Sequence, residues 1–335
     1  MLGLCLFVSA CDKSAEQGQL YRFAGSTMGT QYTVKVVGLP ASVLPTALSE
    51  DIVRLLVEVD AKMSTYRSDS ELSRFNDART TQWFPVSQEM IRVVDEALKV
   101  SKMTLGAFDI TVGPLVNLWG FGPTMRPESV PAKLEIESEL ARVGFRHVHT
   151  RELPPALKKD LEEIYIDLSA IAKGYAVDKV ADRLDGLEIS NYMIEVGGEL
   201  RLKGYNTHGM PWKIAVERPS PEVRVIHSVI QPGDKGVATS GDYRNYFEQE
   251  GKRYSHTIDP RSGLPIDHRL ASVTVIADTA MTADALATAL MVLGPAEGYR
   301  LAERHNLAAF FVNKSVAGFS ERETPAFSGY FMADE

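Results

Sequence analysis

The chain has 335 residues, 44% hydrophobic and 24% charged, a composition typical of a globular protein with one large domain or two smaller ones. Its formal net charge is −8 and no basic run carries interleaved aromatic residues, so the sequence argues against nucleic-acid binding. No segment after the N-terminus approaches the roughly 20 apolar residues of a membrane-spanning helix.

The first eleven residues have the features of a secretory signal that ends in a lipid-attachment site. Residues 1–10 are apolar and close with small side chains, and Val8-Ser9-Ala10-Cys11 resembles a bacterial lipobox with Cys11 as the lipidated residue. No Lys or Arg precedes the apolar run, which indicates a true start codon upstream of Met1. We expect a polar tether over 12–21 and an inner-membrane lipoprotein that faces the periplasm. Its exported domain would contain no thiol and no disulfide.

Hydrophobic periodicity and Gly/Pro punctuation predict the elements that follow. The predicted helices cover 48–63, 87–103 with Ser87 as a cap, 169–185 with Ser169 as a cap, 281–293 and 295–305. The predicted strands cover 31–37, 164–168, 192–196, 199–203, 212–217, 223–230, 236–239, 271–277 and 308–312. We expect a loop or short helix over 107–122 and a polar turn over 123–131.

Several neighbouring strands have no helix between them, which is unlike a doubly wound parallel sheet. We therefore expect an α+β or mixed α/β fold with a largely antiparallel second half and helices packed on the sheets. Residues 22–330 would form one catalytic domain, with a soft internal boundary near 150–163, where Leu153-Pro154-Pro155 interrupts the pattern.

The segment from Thr282 to Thr288 places a carboxylate and a hydroxyl four residues apart. On a helix, Asp284 and Thr288 would share one face, and such hard oxygen ligands suit Mg²⁺ beside a phosphorylated substrate. The alternative is a plain helix start, with Thr282 as N-cap and Asp284 complementing the helix dipole.

A second candidate site lies where the 164–168 strand would enter its helix. The first amides of a helix lack intrahelical partners and attract anions, and Lys173 would add a charge one turn later, beside Asp167 at the strand end. Gly174 inside this helix costs roughly 1 kcal/mol against alanine, which indicates that something approaches it closely.

Other polar and aromatic residues are weaker candidates when taken singly. Gly197-Gly198 suits either a hairpin turn or close approach to a ligand. His256 lies among hydroxyl and acidic residues, as a candidate general base requires. Met28, Tyr66 and Phe108 could form the walls of a site for a planar ring, although such residues more often fill cores.

Eight short motifs occur in order along the chain. They are Ser26-Thr-Met-Gly-Thr30, Met63-Ser-Thr-Tyr66, Gly106-Ala-Phe-Asp-Ile-Thr-Val-Gly-Pro-Leu-Val-Asn-Leu-Trp-Gly-Phe-Gly122, Asp167-Leu-Ser-Ala-Ile-Ala-Lys-Gly174, Val196-Gly-Gly-Glu199, Ser240-Gly-Asp-Tyr243, His256-Thr-Ile-Asp-Pro260 and Thr282-Ala-Asp-Ala-Leu-Ala-Thr288. In this combination they resemble the ApbE family of bacterial FAD:protein FMN transferases, over about residues 22 to 330. The lipobox is also usual in that family.

The resemblance implies a site. Mg²⁺ would be held by the backbone carbonyl of Ala170 and the side chains of Asp284 and Thr288. The residues implied or assigned to contact FAD are Met28, Tyr66, Ala107, Phe108, Asp109, Asp167, Lys173, Gly197, Gly198, His256 and Ile258. Lys173 stands where some family members carry Glu. The base that activates the acceptor would be His256, with Asp242 as second choice, and Asp284 would act through the metal.

The resemblance also implies a reaction. FAD is split at its pyrophosphate, FMN is joined by a phosphodiester to a Thr of an acceptor protein, and AMP leaves. Acceptors in the family are subunits of Nqr- and Rnf-type redox pumps and other envelope flavoproteins. The alternatives are a Mg²⁺-dependent FAD pyrophosphatase, in which water replaces the Thr, and a non-catalytic flavin-binding lipoprotein.

Overall fold

The computed structural model describes residues 18–123, 129–218, 225–242, 246–316 and 318–332. The predicted signal segment, Cys11 and most of the predicted tether lie outside these ranges, as does most of the predicted turn over 123–131. In the part of the chain that is described, no helix is long and apolar enough to cross a membrane.

Helices and strands alternate irregularly along the described chain. The strands are β1 (Leu20–Thr27), β2 (Thr30–Val37), β3 (Phe84–Pro85), β4 (Val148–Arg151), β5 (Ala156–Lys159), β6 (Tyr192–Val196), β7 (Glu199–Lys203), β8 (Ile214–Arg218), β9 (Val225–Ile230), β10 (Gly236–Gly241), β11 (Tyr246–Gln249), β12 (Lys252–Ser255), β13 (Ile258–Asp259), β14 (Leu264–Pro265), β15 (Leu270–Ala277), β16 (Ala308–Ser315) and β17 (Gly318–Glu323). The helices are α1 (Pro45–Met63), α2 (Glu71–Asp77), α3 (Gln88–Met103), α4 (Gly113–Leu118), α5 (Lys133–Leu140), α6 (Ala172–Gly186), α7 (Ala280–Arg304) and α8 (Pro325–Ser328).

The main sheet has eight strands in the order β1-β2-β6-β7-β10-β15-β16-β17. Every pairing within it is antiparallel. Strands from both halves of the chain therefore share one sheet, and the expected α+β class with antiparallel pairing is confirmed. The smaller sheets are β3-β5-β4, β8-β9, β11-β12 and β13-β14.

Both faces of the main sheet are covered. One face packs under α1, α3, α6 and α7, and the buried residues there form the main core, from Tyr32 to Phe311. The other face carries a smaller cluster built on β2, β7 and β16, with Phe327 from α8 buried in it. A third cluster, around Trp119 and Ile258, joins α4 and α5 to the β11–β14 region. Leu157, inside the segment 150–163, belongs to the main core.

Two helices follow directly from their sequence patterns. Helix α1 buries Leu48, Ile52, Leu56, Val59 and Met63 on one stripe. Helix α3 begins after Ser87, whose Oγ accepts a hydrogen bond from the Met90 amide, so the predicted cap is confirmed.

Helix α7 contains a kink that matches the two predicted helices. Gly294 has a φ of 73° and Pro295 follows it, so the helix changes direction there. Pro295 has no amide to donate to the carbonyl of Met291, one turn earlier. The ring of His268 takes this place, with Nε2 2.8 Å from that carbonyl oxygen.

The predicted strand over 164–168 is wrong. The segment is buried at Ile164, Ile166 and Leu168, but it pairs with no strand. The side-chain amide of Asn76 instead donates to the Ile166 carbonyl, and its oxygen accepts from the Ile166 amide, both at 2.8 Å. The ammonium group of Lys159 donates to the Ile164 carbonyl. These side chains, together with the Ile110 carbonyl that accepts from the Asp167 amide at 2.7 Å, supply the hydrogen bonds that a neighbouring strand would have given.

Candidate active site

A cavity of about 420 Å³ lies between the kinked helix α7, the end of β10 and the loops that precede α4 and α6. Eleven of the residues singled out from the sequence line it. They are Tyr66, Ala107, Phe108, Asp109, Asp167, Ala170, Lys173, His256, Ile258, Asp284 and Thr288. The fold thus brings together residues that are up to 222 positions apart, Tyr66 and Thr288 being the extremes.

Asp284 is the most deeply buried carboxylate of the cavity, with 3% of its surface exposed. It lies in the second turn of α7, which Thr279 caps by accepting a hydrogen bond from the Thr282 amide. Thr282 is therefore not the cap, and its hydroxyl donates to Glu96. Asp284 lies beyond the first turn of the helix, so a favourable interaction with the helix dipole does not explain the presence of a carboxylate at this position.

The start of α6 packs against Asp284. The amide of Gly174 donates to Asp284 Oδ2 at 3.0 Å. A Cβ at Gly174 would lie only 2.3 Å from the carbonyl oxygen of Ala280, so the close approach expected at this glycine is confirmed, with α7 as the approaching element.

Lys173 joins two buried carboxylates. Its Nζ lies 3.3 Å from Glu199 Oε1 and 3.6 Å from Asp284 Oδ2. Burial lowers the pKa of Lys173, but Asp284 and Glu199 outweigh burial and raise that pKa above its ordinary value. Burial raises the pKa of Glu199 to about 8, against the opposing effect of Lys173. Glu199 is 5% exposed, and its Oε2 has no hydrogen-bond partner among the described residues.

Two further oxygen atoms complete this side of the cavity. Thr288 lies one turn after Asp284 on α7, and its Oγ1 is 3.3 Å from the hydroxyl of Ser240. The helical acceptor for the Gly174 amide would be the carbonyl of Ala170, but that amide donates to Asp284 instead. Among the described residues, no backbone amide donates to the Ala170 carbonyl. No group of three or more His, Cys, Asp or Glu side chains suited to a metal occurs within the described ranges.

Two predicted carboxylates are held by their neighbours. Asp109 accepts hydrogen bonds from the amide and hydroxyl of Thr111 and from the amide of Phe145. Burial raises its pKa against these bonds. Asp167 accepts from the amide and hydroxyl of Ser169. Both carboxylates therefore fix the shape of the loops that line the cavity.

The opposite side of the cavity is aromatic and apolar. Tyr66 is 70% exposed, so its ring is available to a planar ligand. His256 lies edge-on to Phe121, with ring centroids 6.3 Å apart. The β13–β14 turn, which follows the His256 loop, is held to the end of α4, because the indole of Trp119 donates to the Gly263 carbonyl at 2.9 Å.

Four predicted residues are absent from the cavity lining. Met28 lies at the β1–β2 turn, and Gly197 and Gly198 form the β6–β7 turn, where both have positive φ. The hairpin interpretation of this glycine pair is therefore supported, and Gly197 packs against the side chain of Lys173. Asp242 is paired with Lys314 at 2.6 Å, so the structure gives no support for it as the base.

The cap expected at Ser169 is wrong. Helix α6 begins at Ala172 with Ile171 as its N-cap residue. The amide of Ser169 donates to Asp167, and those of Ile171 and Ala172 both donate to the Leu168 carbonyl. These amides are therefore not available to a phosphate group.

Comparison with known proteins identifies the family. The model of the ApbE family matches residues 28–311. The chain belongs to the ApbE family. An FAD:protein FMN transferase from Vibrio cholerae is 48% identical over 98% of this chain and 97% of its own length. One from Haemophilus influenzae is 44% identical over 97% of this chain and 95% of its own. The solved structure of the flavin transferase ApbE from Vibrio cholerae has a TM-score of 0.87 and 47% identity, and the match covers 94% of this chain and all of that one.

Glu199 of this ApbE-family chain ends the Val196–Glu199 motif but was not predicted to belong to the site. Glu199 follows a glycine turn and begins an inner strand of the sheet. A charged residue at such a buried position is unusual, and this could have indicated a functional role. Ser240 and Phe121 were missed in the same way, because their approach to α7 and to His256 depends on tertiary packing.

Proposed function

We propose that this chain is an FAD:protein FMN transferase. It would cleave the FAD pyrophosphate in a Mg²⁺-dependent reaction, join FMN through a phosphodiester to a Thr of an acceptor protein, and release AMP. The observation that carries this proposal is one cavity that places an exposed aromatic ring and His256 opposite buried oxygen ligands and a lysine.

The donor set fits a magnesium ion. Asp284, Thr288 and the carbonyl of Ala170 are hard oxygen donors on two packed elements, and the Ala170 carbonyl has no backbone donor recorded among the described residues. These three residues would hold Mg²⁺, which when bound supplies positive charge to the pyrophosphate oxygens.

Other residues would bind and orient FAD. Tyr66 offers an exposed ring on which the isoalloxazine can stack, and Ile258 and Phe121 add apolar walls. The ammonium group of Lys173 faces the same space and would neutralise phosphoryl charge. Asp109 and Asp167 would act by holding the loops that carry Phe108 and Ala170.

Transfer requires a nucleophile and a base. The Thr hydroxyl of the acceptor would form the new P–O bond to the FMN phosphate, and the bond from that phosphorus to the AMP oxygen would break. We assign His256 the removal of the hydroxyl proton, since it lines the cavity and carries an imidazole.

The location and the acceptor are also proposals. We propose that lipid on Cys11 holds the protein at the periplasmic face of the inner membrane. Its acceptors would be subunits of Nqr- or Rnf-type redox pumps.

The test is a mass spectrum of a Thr-bearing acceptor domain after incubation with the protein, FAD and Mg²⁺. We expect a gain of one FMN that disappears with EDTA and with an acceptor whose Thr is replaced by Val. Free FMN and AMP beside an unmodified acceptor would favour the pyrophosphatase. Intact FAD would favour a flavin-binding protein.

A further inference from the structure

We propose that Glu199 is a positioning residue that draws the Lys173 ammonium group away from Asp284, so that Asp284 can bind a divalent cation. This inference rests on the proposed function, because it requires the magnesium site formed by Ala170, Asp284 and Thr288.

The argument begins with the surroundings of the ammonium group. Lys173 Nζ has three acceptors within reach: the Ser169 carbonyl at 3.4 Å, Glu199 Oε1 at 3.3 Å and Asp284 Oδ2 at 3.6 Å. Both carboxylates lie within ion-pair distance of the ammonium group, so Lys173 is a cation that Asp284 already faces before a metal binds. A metal ion on Asp284 would lie close to this positive charge and would be repelled by it.

Glu199 offers the ammonium group a second place to bind. Its Oε2 is buried and has no hydrogen-bond partner among the described residues, an arrangement that costs free energy because the oxygen has lost its contact with water. When the Lys173 ammonium group moves away from Asp284, it can donate to Oε2 of Glu199. Glu199 would then hold Lys173 with both oxygens while Asp284 holds the metal.

The packing restricts Lys173 to a short movement. A Cβ at Gly197 would lie 3.3 Å from Cδ of Lys173 and 2.9 Å from Thr30, so the β6–β7 turn lies against the aliphatic part of the lysine. Only the end of the side chain is therefore free to move, and Glu199, two residues after Gly197, is within its range.

Removal of the Glu199 charge has a defined consequence. With glutamine at this position, Asp284 becomes the only carboxylate of the described residues that pairs with Lys173, and the ammonium group competes with Mg²⁺ for it. Removal of the ammonium group ends the competition. The effects of the two substitutions on metal affinity should therefore be strongly non-additive.

The experiment measures Mg²⁺ binding to the full chain by calorimetry without FAD, at pH 9. We expect Glu199→Gln to weaken Mg²⁺ binding about tenfold and Lys173→Gln to bind at least as tightly as wild type. Glu199→Gln should add little in the Lys173→Gln background. Glu195→Gln removes the same charge from β6 outside the cavity lining and should match wild type.

The outcomes separate this inference from the proposed function. Unchanged Mg²⁺ affinity in Glu199→Gln would overturn the inference, and so would an equal loss in both backgrounds, since Glu199 would then act on the ion directly. A wild-type chain that binds no Mg²⁺ would overturn the magnesium site as well. If Glu199→Gln does not fold, as judged by thermal unfolding, Lys173→Gln alone decides: weaker Mg²⁺ binding there contradicts the competition.

Discussion

At the scale of single residues, Asp284 combines roles that are usually separate. Its carboxylate accepts a hydrogen bond from the Gly174 amide, forms an ion pair with Lys173 and lines the cavity. A change at this position therefore acts on structure and on chemistry, and the choice of substitution decides which effect is seen.

We expect Asp284→Asn to reduce transfer by more than about 100-fold while the free energy of unfolding changes little. The amide oxygen can still accept from Gly174, but the charge that would bind the proposed metal is gone. Asp284→Ala should show the same loss of activity together with a destabilisation of about 1–3 kcal/mol, because the buried Gly174 amide loses its partner. Denaturant unfolding of both variants measures this difference. Equal stability of the two would show that the Gly174 bond contributes nothing.

For His256→Asn we expect transfer to fall by about 100-fold, since a general base contributes on that order. FAD affinity, followed by quenching of flavin fluorescence, should stay within about twofold of wild type, because asparagine keeps a polar side chain in the cavity lining and removes only the base. An equal loss of affinity and transfer would make His256 a binding residue instead of the base.

At the scale of elements, the contact between α6 and the start of α7 determines the geometry of the oxygen ligands. Gly174 allows the two helices to pack in direct contact. The carboxylate of Asp178 on α6 accepts hydrogen bonds from the amides of Ala280 and Met281, at 2.9 and 2.8 Å. The first turn of α7 is thus capped by a neighbouring helix, and Asp284 follows one turn later.

We expect Gly174→Ala to destabilise the protein by about 1–3 kcal/mol, although alanine is the better helix former, because its Cβ would clash with the Ala280 backbone. Gly186→Ala is the matched control. It lies at the end of the same helix with nothing within 4 Å of the added Cβ, and should gain up to about 1 kcal/mol. Chemical denaturation of the two variants tests this pair. Stabilisation by Gly174→Ala would mean that the helices can move apart freely.

The elements that sequence reasoning predicted correctly are those whose stability is local. The cap at Ser87, the apolar stripe of α1 and the break at Gly294-Pro295 all lie within one segment of chain. The 164–168 segment was mistaken for a strand because its partners, Asn76 and Lys159, act from remote positions through their side chains. The hydrophobic pattern of the segment itself does not indicate these remote partners.

The same distinction applies to the candidate site. Asp284 and Thr288 could be found because their spacing places both on one helix face. Glu199 could not, since its meeting with Lys173 depends on how β7 lies beside α6. Met28, Gly197, Gly198 and Asp242 were assigned through the family resemblance, and the structure places them at two turns and in an ion pair outside the cavity lining.

At the scale of the whole molecule, buried carboxyl groups make stability depend on pH in an uncommon direction. Burial raises the pKa of Asp109, Asp178 and Glu199, the last from 4.5 to about 8. A carboxyl group whose pKa is higher in the folded state stabilises the folded protein. This contribution is complete at pH values below the pKa of the unfolded state, and it is lost as the pH rises through the pKa of the folded state.

We therefore expect the Glu199 contribution to the free energy of unfolding to fall between about pH 4.5 and 8. Subtracting the unfolding curve of Glu199→Gln from that of wild type at each pH isolates it. A difference that grows with pH would mean that the ion pair with Lys173 outweighs burial.

The sheet order has a consequence for how the molecule is made. The cavity takes residues from Tyr66 through Val292, and strands β10 and β15 are added to β1, β2, β6 and β7 from later parts of the chain. A nascent chain released before α7 lacks Asp284 and Thr288, two of the three proposed oxygen ligands, however well its first strands have paired. Flavin binding would thus report completed synthesis and folding, and saturating FAD would protect full-length chains from proteases while leaving truncated ones exposed.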